Sequence, residues 1–112
     1  MICTVKDTNR IIAENTKLAD SFAARFRGLM LKKDLPRGEA LLLKNCSAVH
    51  CLFMRFTIDV IYLDKSLRIA ALETIKPWRF GRIVPGARHV LELPEGATEG
   101  LEKGMQLMLK ED

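Results

Sequence analysis

Apolar and polar positions alternate along this chain in short blocks separated by turn formers. "ICTV" and "RIIAEN" predict two short strands around Asp7, Thr8 and Asn9. "ALLLKN" predicts a buried strand. "SLRIAALETI" predicts another, weakened by Ala70 and Ala71. "HVLEL" leads into the turn "PEGATEG", and "GMQLMLK" predicts a last strand with Gln106 outside. A different period runs through "TKLADSFAARFRGLM". Leu18, Phe22, Phe26 and Leu29 recur at helical spacing, Thr16 is available as N-cap, and Gly28 suits a helix end. The expectation is one amphipathic helix from Lys17 to Arg27, its Phe22/Phe26 stripe facing the core. The fold class expected is α+β, mostly β: a small barrel-like antiparallel domain with one helix, since closure removes exposed strand edges.

The densest apolar stretch, "AVHCLFMRFTIDVIYLD", also carries His50, Cys51, Arg55 and Asp59. As one strand from Val49 to Leu63, it would put Leu52, Met54, Phe56, Ile58, Val60 and Tyr62 on one face. Arg55, Thr57 and Asp59 would share the other. Four residues of extended chain span about 13 Å, too far for Arg55 and Asp59 to pair directly. Either neighbouring strands supply partners or the chain bends near Phe56–Thr57. Arg27 and Arg79 are candidate mates for Asp59, and Glu73 and Glu92 for Arg55.

A length of 112 residues with no repeat or linker predicts a single domain, 1–112. No apolar run reaches the ~20 residues that span a bilayer. Lys6 and Asp7 interrupt the place a signal peptide would need apolar, so a cytoplasmic protein is expected. Reduced thiols at Cys3, Cys46 and Cys51 fit that compartment. Charge is uneven: thirteen Lys/Arg face five Asp/Glu from Ala23 to Arg88, against two and six from His89 onward. A basic side of the fold would favour an anionic partner.

The ordered tracts "RFRGLMLKKDL", "HCLFMRFTIDVIYLD" and "ARHVLELPEG" resemble domain-of-unknown-function family 192, found in bacteria and archaea. The likeness covers nearly the whole chain. It rests on Arg27–Met30, on Met54–Arg55 with Ile58–Asp59, and on Val90–Gly96. Thr57 stands where many members carry proline, and Glu39 replaces the Met of a Gly-Met-Leu-Phe tract. The resemblance implies a compact, mainly β fold with one helix, and it supplies no established activity.

The site expected from these residues is a binding patch. Arg27, Gly28 and Met30 from the helix end would join His50, Met54, Arg55 and Asp59 from the central strand, with Trp78 nearby. Arginine forks suit carboxylate or phosphate, and Met and Trp supply adaptable apolar walls. A structural Arg–Asp network is the competing account of the same residues. The function expected is a non-catalytic binding or accessory module for an anionic small molecule or peptide. The alternatives are single-stranded nucleic-acid binding by a small basic barrel and a metal- or thiol-dependent enzyme using Cys46, His50, Cys51 and His89. The second is poorly served, since His50 and Cys51 face opposite ways on a strand. A hydrolytic His50–Asp59 pair lacks a nucleophile elbow. No catalytic residue, metal, cofactor or membrane partner is expected.

Overall fold

In a computed structural model of the protein, which describes residues 1–19, 21, 24, 32–48 and 54–111, the apolar blocks become eight strands. They are β1 (Ile2–Val5), β2 (Ile11–Ala13), β3 (Asn15–Ala19), β4 (Glu39–Leu43), β5 (Ile58–Leu63), β6 (Ile69–Ile75), β7 (His89–Pro94) and β8 (Leu107–Lys110). A three-stranded sheet has the order β2-β1-β8, and a five-stranded sheet the order β3-β4-β7-β5-β6. Every pairing is antiparallel except β3 with β4.

The first hairpin forms where turn chemistry places it. Asn9 takes a positive φ of 59°, which its short polar side chain tolerates, and its N–H donates to Val5 O at 2.9 Å. In the larger sheet β5 is buried on both faces. Its sequence "IDVIYL" is accordingly a nearly unbroken apolar run rich in β-branched residues. Ile58, Val60 and Tyr62 point to one core cluster, with Leu43, Ile75, Val84, Ala87 and Val90. Ile61 and Leu63 point the other way, into a second core shared with Cys3, Val5, Ile12 and Leu107 of the smaller sheet. That second cluster lies between the sheets and holds them together by burial of apolar surface.

Three expectations change. The sheets do not close into a barrel. The Arg68–Gln106 bridge and the bond from Thr16 N–H to Met1 O at 2.7 Å tie them together, but neither continues into a ladder. The helix expected from Lys17 does not begin there. Residues 15–19 pair in parallel with 39–43, Thr16 opposite Ala40 and Leu18 opposite Leu42. Backbone bonds along β4 satisfy this segment as a strand, and Thr16 is buried in it rather than capping a helix. Most of the remaining span to Arg27 lies outside the described residues; of the two described there, Ala24 is helical and its N–H donates to Ser21 Oγ at 3.1 Å. Finally, the single strand expected from Val49 is β5 alone. The chain bends at Phe56 before pairing begins at Ile58; residues 49–53 lie outside the described set.

Candidate functional site

Register brings several loops to one end of the larger sheet. Ile58, which opens β5, sits opposite Ile75, which ends β6, and Pro94, which ends β7. Residues 54–57, 76–78 and 95–98 therefore leave the sheet together. Arg37, just before β4, reaches the same end: its guanidinium nitrogens lie 3.6 Å from where a Cβ on Gly96 would stand.

Asp59 holds this end in shape. Its side chain is 3% exposed and takes four donors. Thr74 Oγ1 donates to Oδ1 at 2.8 Å. Gly96 N–H at 3.0 Å, Thr98 N–H at 3.2 Å and Thr98 Oγ1 at 2.7 Å all donate to Oδ2. Buried carboxylates survive when their acceptor sites are filled in this way. The turn being held is Pro94–Ala97, closed by Ala97 N–H to Pro94 O at 3.0 Å. Gly96 at φ 89° occupies the third position, which needs a positive φ. Among the described residues the partners of Asp59 are all neutral donors and Arg79 is not one of them; Arg27 lies outside the described residues.

The other expected residues fall into three groups. Arg27, Gly28, Met30 and His50 lie outside the described residues. Met54 is buried in the core cluster on the outer face of the larger sheet. Arg55 and Trp78 are exposed at the same end of that sheet. The acids weighed as mates for Arg55 are engaged or buried. Glu73 Oε2 accepts from Tyr62 Oη at 2.8 Å and from Arg82 N–H at 3.1 Å. Glu92 sits in a cross-strand row between Leu41 and Val60, fully buried, with Oε1 unpartnered. Burial pushes its carboxyl up to about 8.

Sequence reasoning gave too little weight to the loop that follows β6. From Lys76 to Arg88 it carries four cations and no acid. Trp78, Phe80 and Ile83 are 58%, 71% and 93% exposed. The loop is nonetheless pinned. Val84 and Ala87 are buried in the core, and Arg88 N–H donates to Leu63 O at 2.7 Å. Trp78 itself sits at φ 64°, a conformation that is strained for a bulky residue. The signal available in sequence was the alternation of Trp, Phe and Ile with Lys and Arg in "KPWRFGRI".

Of the residues weighed for metal and thiol chemistry, His50 and Cys51 lie outside the described residues, whereas Cys46 and His89 are described. Among the described residues no three His, Cys, Asp or Glu side chains converge. His89 Nδ1 accepts from Asn45 N–H at 2.9 Å. Partial burial, then the charges of Lys44 and Arg88, lower its pKa. Cys46 Sγ donates to Ala48 O at 3.0 Å, and burial pushes the Cys3 thiol up to about 12, away from nucleophilic use.

Comparison with known proteins bears on the fold and the family. A Novosphingobium aromaticivorans protein of unknown function superposes with a TM-score of 0.85 at 18% identity, over 97% of this chain and 84% of that one. A candidate transcription regulator from Sinorhizobium meliloti gives 0.77 at 18% identity, over 96% and 89%. Among sequence relatives, a UPF0127 protein of Thermococcus sibiricus is 34% identical over 86% of this chain and 65% of its own length. One from Thermococcus kodakarensis is 39% identical over 77% and 57%. This chain thus spans less than two-thirds of those two proteins. One from Pyrococcus horikoshii is 36% identical over 77% of each. The family model described as "Uncharacterized ACR" matches residues 3–109, and the chain belongs to that family, domain-of-unknown-function family 192.

Proposed function

We propose that this protein is a non-catalytic binding or accessory module, taking an anionic small molecule or peptide on the surface formed by Arg55 and the Lys76–Arg88 loop. One observation carries the reading: three cations, Lys76, Arg79 and Arg82, flank large exposed apolar side chains on a pinned backbone, with no acid between them in sequence. Such a surface offers charge to an anion and apolar walls to its organic part. Arg55 supports it from the adjoining segment, being exposed and without an ion pair among the described residues. In this reading Asp59 shapes the site and does not touch the ligand, because its oxygens already hold the 94–98 turn.

A second reading, single-stranded nucleic acid, draws on the exposed rings of Trp78 and Phe80 among Lys76, Arg79 and Arg82, since bases stack on such rings.

Trp78 is the sole tryptophan, so its emission reports on this surface. Titration with pyrophosphate, an Asp-rich peptide and a thymidine oligonucleotide is expected to shift that emission. Arg55→Ala should weaken the effective probe roughly tenfold, about the worth of one charged hydrogen bond. A spectrum unmoved by all three probes removes the proposal. A response to the oligonucleotide alone, falling steeply with salt, favours the second reading.

A further inference from the structure

We infer that the Lys76–Arg88 loop docks the protein on an anionic lipid surface. This rests on the reading of the loop as an anion-binding surface and names what carries the anions.

The shape of the loop argues first. At 71% and 93% exposure, Phe80 and Ile83 stand in solvent, Ile83 at the rim of an open hollow that it shares with Arg82 and Lys103. Apolar side chains this exposed beside cations suit insertion into a soft, anionic surface. The kind of side chain argues second. Base stacking would employ Trp78 and Phe80 but gives no task to Ile83, the most exposed of the three. The boundary of a bilayer employs all of them. Tryptophan settles at headgroup depth, and phenylalanine and isoleucine enter the acyl boundary.

Charge argues third. Lys76, Arg79 and Arg82 are exposed and interleave with the apolar positions, and no acid lies between them in sequence. Their stems can lie along apolar surface while their heads meet lipid phosphates and carboxylates. The anchoring argues last. Val84 and Ala87 are buried, Arg82 N–H is held by Glu73, and Arg88 N–H by Leu63 O, so little ordering is left for the membrane to impose.

The test is binding of the whole chain to vesicles, by co-sedimentation and by Trp78 emission. Vesicles of phosphatidylcholine with about one-third phosphatidylserine are compared with phosphatidylcholine alone. Anionic vesicles are expected to bind at least tenfold more tightly and to shift the emission to the blue. Phe80→Ser with Ile83→Ser should weaken binding at least tenfold, and Arg79→Glu with Arg82→Glu should abolish it. Both double variants should keep the wild-type melting temperature, because none of these side chains is buried.

Four results would overturn the inference. Vesicle binding indifferent to the Phe80/Ile83 pair would mean mere charge attraction. Response to pyrophosphate or the Asp-rich peptide without vesicle binding would leave the proposed function standing and remove the lipid surface. Oligonucleotide binding without vesicle binding would assign the rings to nucleic acid instead. Silence toward every probe would remove both.

Discussion

Two buried acids show how differently one side chain can be housed. Asp59 stood out in the sequence as a carboxylate in an apolar strand, but the turn that it holds did not, because Thr74, Gly96 and Thr98 meet it only through the fold. Removing the carboxylate takes the acceptor from two backbone N–H groups, of Gly96 and Thr98, and from two hydroxyls, and leaves a void where a buried side chain stood. Asp59→Ala is therefore expected to cost about 3–5 kcal/mol in urea unfolding, and a loss below 1 kcal/mol would refute the role given to it. Glu92 Oε1 has no such partner among the described residues. Its carboxyl binds a proton more tightly in the folded chain, at about 8 against an ordinary 4.5. Its contribution to stability is thus fully present below about pH 4.5 and is lost as pH rises through 8, by up to ~1.4 kcal/mol per pH unit. His89, whose pKa is lowered, pulls the opposite way below its ordinary value. Comparing wild type with Glu92→Gln isolates the acid: the variant should lose much less stability than wild type between pH 5 and pH 8. Equal slopes would count against an uncompensated Glu92.

At the scale of elements, strands with alternating or unbroken apolar runs between turn formers were readable before the structure. The first hairpin, β4, β6, β7 and β8 all fall within segments marked that way. β3 was not, for a physical reason. Its buried residues, Thr16 and Ala19, stand three apart, and Leu18 between them is exposed at the sheet edge. That spacing imitates one turn of a helix. The long apolar run before β5 left two readings open, one strand throughout or a bend near Phe56–Thr57, and the chain bends at Phe56; hydrophobicity alone could not choose, because it does not reveal where pairing starts. The loop after β6 makes its own prediction. Val84→Ala should lower stability by about 1–3 kcal/mol, since it empties core space. Ile83→Ser, one residue away, should change it by less than about 0.5 kcal/mol. Chemical denaturation of the two variants would show whether the loop is anchored as described; similar losses would mean that it is not.

For the whole molecule, the mostly β class and the single set of apolar blocks were legible, and the absence of closure was not. Closure depends on whether edge strands meet, and a sequence of short strands fits an open pair of sheets as well as a barrel. The site was readable only as far as residue types go. Arg55 and Trp78 reach one end of the larger sheet because the ends of β5, β6 and β7 coincide in register, a relation between distant segments that no local pattern encodes. The pairing of β1 with β8 sets Ile2 against Lys110 and Val5 against Leu107. Strands at opposite extremes of the sequence thus complete the sheet that covers the inner core. During synthesis, β1 must wait for residues 107–110 before it has its second neighbour. Folding is then late and governed by loop closure over almost the full sequence, with rates in the slow, millisecond-to-second range of non-local β topologies.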